Sequence, residues 1–579
     1  MKNIAVLVHG LTVEYSVEIL NGISDYFKDK TDYRLIFAQT KDPRGKFGIA
    51  EYQYWSSQRL MLADGIDGII ILSGSYSQSV SDTDLANYLK DFAKTKPVVS
   101  IGVNLKIQNC YYTHVNTESV YDELLSYMKN EHGCRKFAFI QANQTKSIES
   151  KERFDAFRKA LAKNDLPFDE NLTFDSLFTA GYTYDLFKKK FKSKEAINFD
   201  VLFSANDFMA IGARRYLQKI GVKIPEDVKI IGFDNTSLAE MSVPKLTTVD
   251  QNIYGQGYKA AELMEEVMTK ENLPLKKDIE ALAVYRQSCG CSHETKKEKS
   301  QKELRYFTNG EYSNYLTELD QLYSLMDVDT ACDSTEKFFQ ALSYLVTTIN
   351  LFALAVCLYD KPVTFTKDSD FVVPEKARLS MICDITKNIS LLKPRVYFNP
   401  KERIFPGNYF NDFSNNIMVH PLFAGDYNYG YLICALKDEF FSIYCLLLKT
   451  MANIVSHLYE ITLSFDENKK LKENNSTLAI QSIAEILKET FWSNDIVGRL
   501  SGDEFAVLAI GMIKEQIPRI NQKVDEYCQK FTEEKNLPFK LSCSIGGAAF
   551  SKENNTISKL LKEADKELYK EKQIKHSMR

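Results

Sequence analysis

The sequence predicts a multidomain α/β protein. Short apolar segments that fit buried strands alternate with segments of helical periodicity, as in residues 4–8 followed by residues 17–27. This alternation predicts a parallel sheet with helices on both faces. The chain of 579 residues is also too long for one hydrophobic core. Three or four domains of roughly 150 residues each are therefore expected.

Composition narrows the class of protein. Hydrophobic residues make up 44% and charged residues 26% of the chain, and the net charge of -4 gives no electrostatic reason to expect nucleic acid binding. Apolar segments such as residues 349–359 are shorter than the ~20 residues that a bilayer requires. The amino terminus leads directly into a strand pattern instead of a signal peptide. We expect a cytoplasmic protein without membrane association.

Two sets of strands predict two lobes. Strands are expected in the first lobe at residues 4–8, 33–38, 69–72 and 98–101. In the second lobe they are expected at residues 137–140, 201–204 and 228–233. Two such lobes enclose a cleft between them.

Four segments of the second lobe carry a resemblance. They are residues 204–212 (SANDFMAIG), 221–228 (GVKIPEDV), 231–234 (IGFD) and 244–251 (PKLTTVDQ). In this order they resemble the core of lactose-repressor-type regulators and of their periplasmic sugar-binding relatives. The resemblance implies a two-lobed periplasmic-binding-protein-like fold over residues 1–294. It also implies a small polar ligand, such as a sugar or a nucleoside, in the interlobe cleft.

The same resemblance implies ligand contacts. Arg153 matches the arginine that binds ligand hydroxyls or carbonyls, and Asn206 and Asp234 match polar contacts from the second lobe. Turn or cap chemistry is the alternative for Asp234 and for Asp207. The repressors carry a helix-turn-helix before this core, whereas the first strand here begins near residue 4. Direct DNA binding is therefore not expected.

The middle of the chain predicts a linker and a second sensor-like domain. Residues 295–330 are expected to form a helical linker that begins with the charged segment 296–303. A helix at 336–349, a strand at 353–359 and β segments at 417–423 and 429–436 resemble a GAF-type domain over residues 331–440, although many antiparallel sheets share this order. No histidine or cysteine pattern there indicates haem, bilin or metal.

Residues 441–475 predict a coiled-coil signalling helix. Apolar residues recur at spacings of four and three, as in the seam of a parallel homodimer. The members of this seam are Leu447, Met451, Ile454, Leu458, Ile461 and Phe465. For its first half, the last helix of the middle domain packed on its own sheet is the alternative.

The last hundred residues carry a second resemblance. Residues 495–505 (DIVGRLSGDEF) lie between a helical segment at 479–487 and a strand at 505–510, followed by a strand at 541–546 and a helix at 557–569. This order resembles the second half of a GGDEF domain, the diguanylate cyclase type, over residues 476–579. The family forms cyclic di-GMP from two GTP molecules with Mg²⁺.

The resemblance assigns roles to five residues. Asp503 and Glu504 match the catalytic carboxylates, with Asp503 as a metal ligand. Ser501, Gly502 and Lys572 match nucleotide-binding positions, and Ser501 replaces the first glycine of the family motif.

A product-inhibition site is matched only in part. Arg499 and Asp495 resemble part of it, but its first arginine aligns with Trp492. Feedback binding of cyclic di-GMP is therefore not expected.

The first half of this domain has no match. The family begins with an Asp-Leu-Thr-Gly-Leu entry and a strand that supplies a metal-binding aspartate, a lysine and an asparagine; only Asp466 with Lys470 is faintly similar. One hairpin carboxylate cannot hold Mg²⁺ against its hydration shell, so Asp503 and Glu504 are expected to be vestigial. An active cyclase and a co-regulator that does not bind DNA are the two alternatives.

Cys289 and Cys291 form a Cys-Gly-Cys motif that is followed by His293. The end of a strand leading into a linker explains the motif. A metal or redox role needs more ligands than the local sequence supplies.

Overall fold

The computed structural model describes residues 1–9, 14–40, 51–76, 81–142, 147–270, 274–291, 351–366, 368–410, 416–436, 474–552 and 554–577, with isolated positions between 337 and 346 and between 451 and 460. The chain forms two compact units, Met1–Glu460 and Ile461–Arg579. None of the helices within the described residues is both long and apolar enough to cross a membrane.

The strands of the first unit form two parallel sheets, an antiparallel extension of the first of them, and a separate antiparallel pair of Thr248–Asp250 with Leu282–Val284. In chain order they are β1 (Lys2–His9), β2 (Tyr33–Thr40), β3 (Gly68–Ile71), β4 (Val98–Ile101), β5 (Cys110–Asn116), β6 (Phe137–Gln141), β7 (Thr173–Asp175), β8 (Val201–Ser204), β9 (Lys229–Ile231), β10 (Thr248–Asp250), β11 (Lys276–Glu280), β12 (Leu282–Val284), β13 (Leu351–Thr364), β14 (Ala377–Asp384), β15 (Ile389–Leu392), β16 (Tyr397–Phe398), β17 (Ile417–Ala424) and β18 (Tyr427–Leu436).

The helices of this unit alternate with the strands. They are α1 (Glu14–Phe27), α2 (Trp55–Leu60), α3 (Ser73–Tyr76), α4 (Asp82–Ala93), α5 (Glu118–Asn130), α6 (Ile148–Lys163), α7 (Ala180–Lys190), α8 (Asp207–Lys219), α9 (Ser237–Met241) and α10 (Ile253–Thr269). Side-chain caps fix where several begin. The Ser147 side chain accepts a hydrogen bond from the Ser150 amide at the start of α6, as N-cap serines do.

The two predicted lobes are confirmed. The first lobe has the strand order β11-β5-β4-β3-β1-β2, and the second lobe has the order β7-β6-β8-β9, with parallel neighbours in both. Strands β3, β4 and β8 are buried along their whole length, as expected for sheets that are covered on both faces.

The middle segment extends the sheet of the first lobe. Strands β17, β18, β13 and β14 follow one another in the sheet, and each is antiparallel to its neighbour, which confirms the β segments predicted at 353–359, 417–423 and 429–436. Strand β17 also pairs in parallel with β2 over three residue pairs, including Ile417 with Ile36. Buried residues of the first lobe and of the middle segment form one hydrophobic cluster.

A buried polar network joins the same two regions. The Asn428 amide nitrogen donates to Ser56 Oγ at 2.9 Å and to Gln53 Oε1 at 3.2 Å. The Gln53 amide nitrogen donates to the Phe365 carbonyl at 2.9 Å. These bonds satisfy polar groups that would otherwise be buried without partners.

The predicted linker and most of the predicted coil lie outside the described residues. They comprise residues 295–330 and, from the heptad seam, Leu447, Ile454, Leu458, Ile461 and Phe465. Met451 is described, and it is fully buried within the first unit, as is the nearby Val455. Packing on the unit's own core, the alternative for the first half of the seam, is consistent with this burial.

The second unit is a small α+β arrangement. Its described elements are α11 (residues 474–490), β19 (Ile496–Ser501), β20 (Glu504–Leu508), α12 (Ile517–Glu534) and α13 (Ile557–Ser577). Strands β19 and β20 form a two-stranded antiparallel sheet. The fully buried residues of its core are Ile483, Ile486, Leu487, Val524, Cys528 and Leu541.

The strand predicted at residues 541–546 is wrong. Residues 541–550 have no regular secondary structure. The Ile545 amide donates to Glu571 Oε2 of α13 at 2.6 Å, so this amide bonds a helix side chain instead of a neighbouring strand. Gly546 lies directly against α13, since a Cβ atom there would be 2.1 Å from the Ala564 carbonyl oxygen.

Candidate ligand cleft and output hairpin

Arg153 lies buried at the second lobe's face of the cleft. It projects from α6, and its side chain is 7% exposed. One guanidinium nitrogen donates to the Ala205 carbonyl at 2.6 Å, and the same nitrogen is 3.6 Å from Asp234 Oδ1. The guanidinium also stacks over the Phe233 ring at 3.9 Å. The structure therefore brings together two of the three predicted ligand contacts.

Asp234 follows β9 in an unusual backbone conformation. Its φ of 112° lies in a region that residues with a side chain rarely adopt. The Asp234 amide donates to the Val249 carbonyl at 2.9 Å, and Oδ1 accepts from the Gln251 side chain at 2.6 Å. Gln251 Oε1 in turn accepts from Arg153 at 3.4 Å. Arg153, Asp234 and Gln251 thus form a closed set of polar contacts.

Glu149 is a further charged residue of the cleft that sequence reasoning missed. It precedes Arg153 by one helical turn on α6, and its carboxylate reaches the first lobe. Cβ atoms added at Gly102 and Gly74 would lie 2.6 Å and 2.7 Å from Glu149 Oε1. Burial raises the pKa of Glu149, and the nearby Arg153 opposes that increase. The spacing of four residues from Arg153 was the available signal.

The Tyr15 hydroxyl of α1 and the Glu149 carboxylate both lie beside Gly74. A Cβ atom at Gly74 would be 2.8 Å from the Tyr15 hydroxyl. Burial, followed by the charge of Glu149, raises the pKa of Tyr15 well above its ordinary value. The hydroxyl therefore stays protonated and can donate a hydrogen bond.

Both lobes line a small cavity at this cluster. Its volume is about 20 Å³, and its wall includes Gly102 and Val115 from one side and Glu149, Arg153 and Phe233 from the other. A sugar is larger than this space, so a ligand of that size requires the lobes to separate.

Asn206 and Asp207 serve the start of α8. Asn206 Oδ1 accepts from the Met209 amide at 2.9 Å as the N-cap. The Asp207 carboxylate accepts from the Thr236 amide at 2.8 Å and from Thr248 Oγ1 at 2.6 Å. Burial raises the pKa of Asp207 to about 6. The turn and cap chemistry considered for Asp207 is present, and Asn206 lies at the same helix end with its oxygen engaged.

The hairpin of the second unit has the predicted tip. Gly502 has a φ of 43°, a left-handed conformation that favours glycine. Arg499 Nε donates to the Gly502 carbonyl at 2.8 Å, and Ser501 Oγ donates to Glu504 Oε2 at 3.3 Å. Asp503 is exposed. Arg499 therefore stabilises the turn from within.

Asp495 ties the two ends of the hairpin together. Its carboxylate accepts from the Trp492 amide at 2.9 Å and from the Ile510 amide at 2.8 Å. The exposed Lys572 lies on α13, next to Glu571, which binds the Ile545 amide. Asp495 thus has a structural role in this hairpin.

The described hairpin alone does not supply the donor set that Mg²⁺ requires. Over the described residues, the only group of three or more histidine, cysteine, aspartate or glutamate side chains close enough to share a metal ion is His132, Cys289 and Cys291. Asp503 therefore has no pair of carboxylate neighbours in this part of the chain. Mg²⁺ binds oxygen ligands in near-octahedral geometry, which one exposed carboxylate does not supply.

Two parts of the chain match known families of protein domains. Residues 130–289 match the family of the periplasmic binding protein-like domain, and residues 473–578 match the diguanylate cyclase, GGDEF domain. The chain joins a periplasmic-binding-protein-like sensor domain to a GGDEF domain. The sensor domain contains Arg153, Asn206 and Asp234, and the GGDEF domain contains the hairpin and Lys572.

Relatives of the sensor domain are lactose-repressor-family regulators. The chain is 26% identical over 270 residues to catabolite control protein A of Staphylococcus xylosus, covering 47% of this chain and 76% of the relative. It is 28% identical over 275 residues to the transcriptional repressor PurR of Vibrio cholerae serotype O1, again covering 47% and 76%.

Solved structures similar to this chain belong to the same class of regulator. The complex of the transcriptional regulator CelR with cellobiose has a TM-score of 0.42 and 22% identity, covering 50% of this chain and 84% of that one. The regulator CcpA of Lactococcus lactis has a TM-score of 0.41 and 20% identity, covering 50% and 99%.

Proposed function

We propose that this chain is a cytoplasmic signal-transduction protein. Its sensor domain binds a small polar metabolite in the interlobe cleft, and its GGDEF domain acts as an output that does not catalyse cyclic di-GMP synthesis. The observation that carries the proposal is the buried group of Arg153, Asp234 and Glu149 where the two lobes meet.

This group favours a ligand rich in hydroxyls. Glu149 and Asp234 offer carboxylate oxygens that accept hydrogen bonds, and Arg153 donates them in a planar fork. A sugar or the ribose of a nucleoside can donate to the carboxylates and accept from the guanidinium with neighbouring hydroxyls. Such a ligand also replaces water around buried charges that are costly to leave unsatisfied.

The continuous sheet of the first unit offers a route for the signal. A ligand bound to Glu149 and Arg153 would change how the second lobe sits on the first, because the Glu149 carboxylate lies close to Gly74 and Gly102 of the first lobe. The first lobe is joined to the middle segment through β2 and β17 and through the Asn428 network. A change in the first lobe is thereby transmitted to residues that lead towards the GGDEF domain.

The elements that precede the hairpin support an output domain without catalytic activity. No strand precedes β19 within residues 474–495, where the described part of this domain begins with α11. The family's first strand supplies the opposing metal ligand and the phosphate-binding lysine. Each lost electrostatic contact of this kind costs a few kcal/mol of transition-state stabilisation.

An active diguanylate cyclase is the second candidate. The hairpin tip favours it, since Gly502 has the required conformation and Asp503 is accessible to a ligand. In that case Mg²⁺ and GTP would be bound by Asp503 and Lys572 together with groups from outside the described residues. A co-regulator that acts by contact alone, without binding DNA, needs no nucleotide.

Exposed apolar side chains support homodimerisation through the GGDEF domain. Ile496, Leu500, Leu508 and Ile510 on the hairpin and its flank are each more than half exposed. A small domain that leaves this much apolar surface in water is stabilised when a second copy covers it.

A ligand screen on the full-length chain tests the proposed cleft. Thermal unfolding is followed with a panel of mono- and disaccharides and nucleosides, because a ligand that binds only the folded state raises the midpoint. We expect at least one hit whose effect is lost in Arg153→Ala and in Asp234→Asn. The matched control is Arg158→Ala, an exposed arginine on the same helix. A hit that persists in both cleft variants would place the ligand elsewhere.

A further inference from the structure

Three side chains that are distant in sequence meet at the base of the second lobe. His132 follows α5, and Cys289 and Cys291 close the sensor domain. One histidine ring nitrogen and the two Sγ atoms all lie within 4.8 Å of one another. The Cys289 and Cys291 Sγ atoms are 2.9 Å apart. His132 is the additional ligand that the local Cys-Gly-Cys motif did not reveal, whereas His293 lies outside the described residues.

The histidine ring is held in place with an unused nitrogen. His132 Nε2 is buried and has no hydrogen-bond partner among the described residues. The Tyr127 ring packs on the imidazole edge to face at 5.3 Å, and the Tyr127 hydroxyl is 3.2 Å from Cys291 Sγ. A metal ion binds the lone pair of a neutral imidazole nitrogen, and this ring has one such nitrogen without a described partner.

The turn that carries the cysteines is fixed by bonds to the domain core. Ser288 Oγ donates to the Ile230 carbonyl of β9 at 2.6 Å. Arg286 donates to the Leu246 carbonyl at 3.1 Å and to Asn235 Oδ1 at 2.8 Å. Cys289 Sγ is 3.1 Å from the Arg286 carbonyl. The position of Cys289 is therefore set before any ligand arrives.

Gly290 allows the two thiols to face the same way. Its φ of 93° is left-handed, and a Cβ atom there would lie 3.2 Å from His132 Cε1. Any other residue would strain the backbone and press on the imidazole. Gly290 thus leaves room for the His132 ring and allows the two thiols to lie close together.

We propose that His132, Cys289 and Cys291 bind a thiolate-preferring d¹⁰ cation, Zn²⁺ or Cu⁺. Two thiolates and one imidazole suit both ions, as a trigonal site for Cu⁺ or as three of the four ligands of Zn²⁺. On binding, each thiol loses its proton to solvent, two metal–sulfur bonds form, and the imidazole nitrogen donates its lone pair. No electron is transferred. Tetrahedral Zn²⁺ takes its fourth ligand from water.

The location gives the site a structural consequence. Cys289 and Cys291 lie at the turn after β12, and His132 follows α5 of the second lobe. A cation held by these residues would add a cross-link between this turn and the end of α5, and none of the three lines the cleft cavity.

Metal titration of the reduced, chelator-stripped full-length chain tests the proposal. Zn²⁺ affinity is measured by competition with a chromophoric chelator, and Cu⁺ affinity is measured anaerobically with a Cu⁺-selective chelator. We expect one equivalent of at least one ion to bind. His132→Ala, Cys289→Ser and Cys291→Ser should each weaken binding by about tenfold or more. Cys543→Ser, a half-buried cysteine of the GGDEF domain, is the control and should bind like the wild type.

Absorption spectroscopy and circular dichroism distinguish loss of the metal site from loss of the folded state. Cobalt added in place of zinc should give thiolate-to-metal charge-transfer absorption that disappears in both cysteine variants, while circular dichroism shows that the variants remain folded. Binding of neither ion by the wild type would overturn the proposal, as would full binding by His132→Ala. A Cys289–Cys291 disulfide that forms in air, without metal binding by the reduced protein, would identify a redox pair instead.

Discussion

Ile417 of the middle segment pairs in parallel with Ile36, on the edge strand of the sensor's first lobe. Both side chains are fully buried, and they belong to one hydrophobic cluster. The hydrophobic core of the sensor's first lobe therefore includes residues of the middle segment. The middle segment covers a sheet edge that would otherwise be open to other chains.

Truncation tests this shared core. A chain that ends at residue 291 uncovers β2 and part of the common cluster, whereas one that ends at residue 460 retains both and lacks the second unit. We expect the shorter chain to unfold at a lower denaturant concentration and to aggregate more readily, because apolar area is left in water. Equal unfolding midpoints for the two chains would show that the middle segment does not stabilise the first lobe.

Removal of Arg153 should destabilise the sensor. In Arg153→Ala, Asp234 and Glu149 remain buried without their cation, and breaking a buried pair in this way typically costs about 3–5 kcal/mol. The control Arg158→Ala removes an exposed arginine that lies over the Phe168 ring at 4.9 Å, and it should cost about 1 kcal/mol or less. Thermal and denaturant unfolding of the full-length chain would measure both. A similar, small effect in the two variants would contradict the assigned role of Arg153.

Asp207 predicts a pH dependence of stability. Burial raises the pKa of Asp207 from 3.8 to about 6 in the folded protein. Between these values the unfolded chain has released this proton and the folded chain retains it, so stability falls as pH rises. The loss from this group totals about 3 kcal/mol and is complete above pH 6. Asp207→Asn does not titrate and is the reference.

The measurement is the difference in unfolding free energy between the wild type and Asp207→Asn. We expect this difference to decline from pH 3.8 to 6 and then to stay level. A difference that rises with pH would mean that the hydrogen bonds from Thr236 and Thr248 outweigh burial and hold the carboxylate ionised.

Gly546 should be intolerant of a side chain. A Cβ atom there would be 2.1 Å from the Ala564 carbonyl oxygen, whereas at Gly498 in β19 nothing lies within 4 Å. Gly546→Ala therefore forces α13 away from residues 541–550, at a cost of roughly 1–3 kcal/mol. Gly498→Ala is the matched control. Unfolding of the GGDEF domain, followed by circular dichroism, should be shifted only by the first substitution.

Much of this fold can be predicted from the sequence, because buried strands and helices have periodic patterns of apolar residues. Seven strands of the two lobes, β1 to β4, β6, β8 and β9, were predicted from their continuous apolar segments, whereas β5, β7, β10, β11 and β12 were not. The β19–β20 hairpin was recognised from its resemblance to the GGDEF motif. The strand expected at 541–546 was wrong. Its apolar pattern is satisfied by packing on α13, and a pattern alone does not distinguish the two. The pairing of β17 with β2 was not predicted, because contacts between remote edge strands have no local signal.

The cleft was predictable to the extent that motifs mark it. Arg153 and Asp234, which the resemblance singled out as ligand contacts, lie 3.6 Å apart. Glu149 belongs to no motif; its spacing of four residues places it on the same face of α6 as Arg153, but its approach to Gly74 and Gly102 of the first lobe is seen only in the tertiary fold. His132 was invisible for the same reason, since it approaches the two cysteines only through the tertiary fold.

The decisive measurement is the conversion of GTP to cyclic di-GMP. We propose that a ligand sensor is joined to an output domain that does not catalyse this reaction. The full-length chain is incubated with GTP and Mg²⁺ or Mn²⁺, with and without a ligand from the screen, and the products are separated by chromatography. We expect no cyclic di-GMP above background under any condition, because no group of three or more possible metal ligands among the described residues includes Asp503. Cyclic di-GMP that forms with the wild type and disappears with Asp503→Ala would contradict this expectation and establish an active cyclase.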